Sequence, residues 1–276
     1  MTNPNHGVEK PEFTLPEFEI ALEAALKAGK EIINVYSSDF ASKTKDDASP
    51  ITMADLKSNQ VIKEILSKTG YPILSEEDID DKKRLHENRI WVVDPLDGTT
   101  DFVNRTGEFT VMIALVEEKK PILGVIYWPT ESTIFVAQKD LGAWRFSNDF
   151  WQRIWVSKIS DLSKCRAIGS RFHISKVEKI LLDKLCIKKF TSVGSSLKVA
   201  QISSGNAEIY LTTTNKMKEW DTCASYCLVS EAGGKMTDMS GNDLSYNNQN
   251  VAHQNGILVS NNQVHDKIVK EFEKLD

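Results

Sequence analysis

Apolar positions along the first third of the chain recur at mixed helical spacing. Between Phe18 and Tyr36, the residues Ile20, Leu22, Ala25, Leu26, Ile32 and Ile33 predict an amphipathic helix. A loop over Ser37 to Pro50 follows. A second helix is predicted over Thr52 to Ser67 from Met53, Leu56, Val61, Ile62, Ile65 and Leu66, with Gly70 and Pro72 stopping it. The pattern then changes period. Short apolar runs at Ile73-Leu74 and Ile90 to Val93 each end in acids, and Thr110 to Glu117, Ile122 to Trp128 and Thr133 to Gln138 read as an antiparallel meander. Beyond the meander, strands near Ala167, Thr191 and Ile209 alternate with helices near Val177 to Leu185, Ser195 to Ser204 and Trp220 to Ala232. The fold class is therefore α/β, with an α+β N-terminal half and an α/β C-terminal half. A division into residues 1–155 and 156–276 follows, without a Pro- or Gly-rich linker.

Composition narrows the function. The 276 residues are 41% apolar and 26% charged, enough for a sizeable core, and the net charge of −5 comes without a Lys/Arg stripe, which argues against a nucleic acid polymer as partner. An anionic substrate would need a local metal or basic side chains. Met1 to Pro16 has no apolar signal region and no stretch approaches bilayer length, so a cytoplasmic location is expected. Cys165, Cys186, Cys223 and Cys227 lack CxxC spacing and suit reduced thiols.

The most informative run is Trp91-Val92-Val93-Asp94-Pro95-Leu96-Asp97-Gly98-Thr99-Thr100. Pro95 lacks an N–H and fixes its φ, so the strand is expected to stop and the chain to turn at two carboxylates. Gly98 permits close backbone approach, and a helix starting at Thr99 offers unpaired N–H groups to an anion. Three other acids join this pair: Asp55 on the second helix, Glu76 after one strand, and Asp221 at a helix start. An all-oxygen ligand set suits Mg²⁺ or Mn²⁺ better than Zn²⁺.

Glu76-Glu77, Asp94-Pro95-Leu96-Asp97-Gly98-Thr99 and Trp220-Asp221, in this order, resemble the signature of the lithium-sensitive, Mg²⁺-dependent phosphomonoesterases, which include inositol monophosphatases and 3'(2'),5'-bisphosphate nucleotidases. Gly107-Glu108-Phe109-Thr110-Val111, Gly142-Ala143-Trp144, Ser170-Arg171-Phe172-His173 and Gly194-Ser195-Ser196-Leu197-Lys198 resemble the bacterial CysQ-type nucleotidases. The chain also departs from the pattern at three places, the first of them from that branch. Thr100-Asp101-Phe102 is similar to the inositol monophosphatase version, Thr212-Thr213-Thr214 stands where many relatives have an Arg, and Ala224-Ser225 replaces a common Ala-Gly. Lys216 or Lys218 would substitute for the missing Arg.

The resemblance implies a layered αβαβα sandwich of the inositol monophosphatase/fructose bisphosphatase type. It implies one Mg²⁺ on Glu76, Asp94 and the Leu96 carbonyl, a second on Asp94, Asp97 and Asp221, and a weaker third near Glu76. Thr99 with Asp55 would form the water-activating pair, and Gly98 and Thr99 N–H groups would hold the phosphate. Ser195 and Lys198 would contact the nucleotide, His173 would stack on its base, and Lys45 would help place metal or phosphate. Adenosine 3',5'-bisphosphate, converted to AMP and phosphate, is the expected substrate, with inositol monophosphate or a related sugar phosphate as the alternative. The resemblance leaves open a homodimer and a peripheral attachment to the cytoplasmic face of the inner membrane.

Overall fold

A computed structural model of the chain describes residues 9–44, 50–171 and 174–275. The first helix, α1 (Glu17–Tyr36), leads to a small hairpin of β1 (Ser42–Thr44) and β2 (Pro50–Thr52), where the sequence suggested only a loop. Helix α2 (Met53–Leu66) is capped by Thr52, whose hydroxyl accepts from the Ala54 N–H while the Asp55 carboxylate accepts from the Thr52 N–H.

Strands β3 (Ile73–Ser75), β4 (Arg89–Asp97), β5 (Thr110–Glu117), β6 (Lys120–Trp128), β7 (Thr133–Gln138), β8 (Gly142–Ser147) and β9 (Phe150–Ile154) form a seven-stranded sheet in that order, with a short helix α3 (Thr99–Val103) between β4 and β5. The pair β3–β4 is parallel and the rest antiparallel, so the expected meander runs two strands further than its pattern showed. The second half contributes β10 (Arg166–Gly169), α4 (Lys176–Lys184), β11 (Lys189–Ser192), α5 (Leu197–Ser203), β12 (Ile209–Thr212), α6 (Glu219–Glu231), β13 (Lys235–Thr237), β14 (Ile257–Ser260) and α7 (His265–Phe272). Its five strands are ordered β11-β10-β12-β14-β13. The β10 pairings are parallel, as an α/β alternation requires, but β14 runs antiparallel to both its neighbours, which makes this a mixed sheet.

Strand alternation sets the layers. In the larger sheet Trp91, Val93, Ile113, Leu115, Val125 and Val136 point into one core with α1 and α2, while Ile90, Val92, Met112, Ala114, Ile126 and Phe135 point the other way, onto α5 and α6. The same central core takes Tyr210, Met236, Ile257 and Val259 from the smaller sheet. The opposite face of that sheet offers Ala167, Ile209, Leu211 and Leu258 to α4 and α7. Helices and sheets therefore alternate in five layers, the expected αβαβα sandwich. Among the described residues, no helix is long and apolar enough to cross a membrane.

Helix α6 is enclosed between the sheets and can lie there because its contact positions are small. A Cβ added at Gly124 of β6 would meet the Ala224 carbonyl at 2.7 Å and Cys227 Cβ at 3.1 Å. Overpacking of this kind typically costs about 1–3 kcal/mol. Gly124→Ala is expected to lower unfolding stability by that amount in chemical denaturation; an unchanged midpoint would show that α6 shifts freely.

Candidate active site

Two carboxylates are presented by an irregularity in β4. Asp94 pairs with Met112 and Asp97 with Thr110, so three steps on β4 oppose two on β5 and one residue is extra. Pro95 sits in this bulge, where its missing N–H costs no ladder bond. The strand thus does not end at Asp94, as its sequence suggested, but bulges and runs on to Asp97. Inside the bulge Asp94 Oδ1 accepts the Leu96 N–H at 3.0 Å. Gly98 follows at φ +92°, and a Cβ there would meet Ser195 Cβ at 3.0 Å and the Glu108 carbonyl at 3.1 Å. Only glycine suits both the conformation and the space.

Helix α2 reaches several of the surrounding turns through buried polar side chains on one face. Asp55 is 1% exposed; its Oδ2 accepts the Thr52 N–H and hydroxyl at 2.7 and 2.8 Å, and its Oδ1 lies 3.0 Å from the Thr99 hydroxyl. Burial raises the Asp55 pKa, although the hydrogen bonds from Thr52 and Thr99 oppose the rise. One turn along, Ser58 donates to the Pro95 carbonyl at 2.6 Å. Asn59 then accepts the Ser75 hydroxyl at 2.8 Å and donates to Asp78 at 3.0 Å, pinning the residues on both sides of Glu76-Glu77. The Thr99 hydroxyl also lies 3.2 Å from the Leu96 carbonyl.

Asp221 is the third residue of α6, and its Oδ2 accepts the Lys218 N–H at 2.6 Å. Carboxylate oxygens of Glu76, Asp94 and Asp221 all lie within 4.8 Å of one another. Burial, followed by the negative charges of Glu76, Asp97 and Asp221, pushes the Asp94 pKa well above the ordinary carboxylate value. Asp221 is raised in the same way, by burial and then by Glu76. Asp97 lies outside the three-way cluster but is also raised by burial, with Lys198 pulling it back; its Oδ2 accepts the Ser196 N–H and lies 3.4 Å from the Thr110 hydroxyl. Buried carboxylates at such separations ionise together only beside compensating positive charge. An oxygen-only set of this kind fits a hard divalent cation.

Asp97 and Asp221 also line a cleft of about 700 Å³ that runs between the sheets past Ser195, Lys198 and Tyr210 to Thr212, Thr213 and Thr214. Ser195 does not start α5, as the sequence suggested, but precedes it in a left-handed conformation at φ +48°. The Lys198 ammonium donates to the Ser195 carbonyl at 2.6 Å and sits 5.4 Å from the Tyr210 ring centre; burial lowers its pKa, and Asp97 opposes this. The position without the usual Arg is occupied by a carboxylate network. Buried Glu178 accepts the Thr213 N–H at 2.8 Å, lies 3.2 Å from the Thr212 hydroxyl, and accepts the Ser175 N–H at 2.9 Å. Glu178 was not foreseen as a cleft residue, although Ser175 and Glu178 carry the spacing of a helix-capping pair. Arg171 donates to Glu108 at 2.6 Å, and Glu108 in turn accepts the Gly194 N–H at 2.7 Å, so the segment before Ser195 is also braced. Lys45 and His173 lie outside the described residues.

A model of the inositol monophosphatase family matches residues 16–276. The chain is 36% identical over 231 residues to the 3'(2'),5'-bisphosphate nucleotidase CysQ of Escherichia coli, covering 81% of this chain and 91% of that one. Among solved structures, CysQ from Bacteroides thetaiotaomicron superposes with a TM-score of 0.78 at 30% identity, covering 91% of this chain and 98% of its own. The extragenic suppressor protein suhB from Bartonella henselae superposes at 0.79 with 28% identity, covering 93% and 98%.

The raised carboxylates have a consequence for stability. Each contributes stability that is fully present below the ordinary aspartate value of 3.8 and is lost as pH rises through its elevated folded value. A divalent cation that binds the ionised cluster offsets that loss. The rise in melting temperature on adding Mg²⁺ is expected to grow between about pH 5 and about pH 8. An increment independent of pH would contradict the assignment.

Proposed function

The chain belongs to the inositol monophosphatase family, and from that premise we propose that it is a Mg²⁺-dependent 3'(2'),5'-bisphosphate nucleotidase that converts adenosine 3',5'-bisphosphate and water to AMP and phosphate. The observation that carries the reading is the convergence of Glu76, Asp94 and Asp221, the last of which also lines a cleft of about 700 Å³. The curated CysQ relatives support the choice of substrate class.

Glu76, Asp94 and Asp221 would hold one divalent ion, Mg²⁺ or Mn²⁺, with Asp97 and the Leu96 carbonyl available for a second, and a third near Glu76. Bound there, the cations neutralise the phosphate dianion and make water more acidic. The Thr99 hydroxyl donates its proton to Asp55, which leaves its oxygen free to accept a hydrogen bond from the attacking water and orient it. Asp55, made more basic by burial, is the terminus for that water's proton. Gly98, with no side chain in the way, lets the phosphate approach the N–H groups that open α3. Lys198 supplies a fixed positive charge for the phosphate that is retained, and Ser195 shapes the turn beside it. In this reading, residues 1–155 carry most of the cation ligands, and residues 156–276 carry Asp221 and the nucleotide side of the cleft. A cytoplasmic location accords with it.

Inositol monophosphate is the second reading, favoured by Thr100-Asp101-Phe102 and by the Glu178 carboxylate in the cleft wall, where a second phosphate would meet repulsion. Specificity constants for adenosine 3',5'-bisphosphate and inositol 1-phosphate separate the two. A ratio above about a hundred, equivalent to about 2.7 kcal/mol, is expected in favour of the nucleotide, and the reverse preference would move the assignment to inositol phosphates. Thr99→Ala is expected to lower kcat by about 10²- to 10⁴-fold while Mg²⁺ affinity stays within a factor of about two. An undiminished kcat would remove Thr99 from the reaction.

A further inference from the structure

The segment that follows Glu76 and the helix that carries Asp221 are tied together by a buried polar relay. Glu219, at the start of α6, is 1% exposed; its Oε2 accepts the Asn247 N–H at 2.7 Å, and its Oε1 accepts the Asn248 N–H and side-chain amide, both at 2.9 Å. Arg84, 2% exposed, donates to Asn247 Oδ1 at 2.8 Å and to the Asn248 carbonyl at 2.9 Å. Its remaining edge grips Asp80 at 2.6 Å, and the Asn247 amide returns to the Arg84 and Glu87 carbonyls at 3.1 and 3.2 Å. Neither Arg84 nor Glu219 lines the cleft.

This relay joins the two segments that the carboxylate cluster drives apart. Glu76 repels both Asp94 and Asp221. Asp80 and Arg84 belong to the chain just beyond Glu76, whereas Glu219 lies two residues before Asp221 on the same helical turn. A buried guanidinium held by Asp80 on its own segment and by fixed acceptors on Asn247 and Asn248 resists separation of the segments, because parting them would strip buried Arg84 of its Asn247 and Asn248 acceptors or buried Glu219 of its Asn247 and Asn248 donors. We propose that Arg84 and Glu219, bridged by Asn247 and Asn248, are positioning residues that hold Glu76 and Asp221 at cation-binding separation. The proposal rests on reading the carboxylate cluster as a divalent-cation site.

The test is calorimetric titration of the full chain with Mn²⁺, comparing wild type, Arg84→Gln, the milder Asn248→Ala, and Arg166→Gln. The last breaks a different ion pair, Arg166 at the start of β10 with buried Glu208 at 2.5 Å, which shares no residue with the relay or the cluster. Loss of supporting partners typically weakens metal binding about tenfold or more. Arg84→Gln and Asn248→Ala are expected to bind Mn²⁺ about tenfold more weakly, while Arg166→Gln loses thermal stability but keeps wild-type affinity. Affinity within about twofold of wild type in both relay variants, or an equal loss in Arg166→Gln, would overturn the proposal. If Arg84→Gln does not fold, Asn248→Ala decides. If wild type itself binds no Mn²⁺, the cation-site reading fails first and takes the relay's role with it.

Discussion

Mutual repulsion among carboxylates gathered around buried Asp94 is the constraint around which this molecule is built. Glu76, Asp94 and Asp221 come from three separate segments, yet their oxygens meet within 4.8 Å. Such a cluster would spread or protonate if each acid were left to its own backbone. The fold answers with polar side chains that hold the surrounding turns. Ser58 and Asn59 on α2 grip Pro95, Ser75 and Asp78, the Lys218 N–H fixes Asp221, and the Ser196 N–H fixes Asp97. Each bond is of modest net worth, about 1 kcal/mol, but losing one at a buried partner such as Ser58, Asn59 or Ser75 leaves that group unpaired.

The layered architecture supplies the dry, rigid setting this requires. Helix α6 lies between two sheets and shares the central core with both, so the position of Asp221 is set by packing as well as by hydrogen bonds. The consequence is a group of aspartates whose pKa values are raised by burial and by one another's charge, a common trade of stability against function. The cleft continues the same economy on its far side. Its wall combines a lysine over a tyrosine ring with a carboxylate sheltered by threonines, so positive charge is concentrated near Lys198 rather than at Thr212.

Much of this was legible in the sequence because the decisive features are local. A Pro between two aspartates, a glycine and a helix start mark the β4 bulge and the turn after it, even though the chain bulges there instead of ending its strand. The helical spacing from Met53 to Leu66 places α2 within one residue at each end, Thr52 to Ser67 expected against Met53 to Leu66 observed. What escaped depends on tertiary partners. Strands β13 and β14 are three and four residues long and carry too little period to stand out. Ser195 looks like a helix opener until its positive φ is seen. Arg84 sits in a run of charges from Asp80 to Arg84 that reads as solvated surface, and only the fold buries it against Asn247.

The central claim is that the three carboxylates are a cation site, and anomalous diffraction from crystals soaked in Mn²⁺ tests it most directly. The account predicts an anomalous peak bounded by Glu76, Asp94 and Asp221, with any further ion on the Asp97 side of Asp94. No peak among these carboxylates at saturating Mn²⁺, or ions bound only elsewhere, would contradict it.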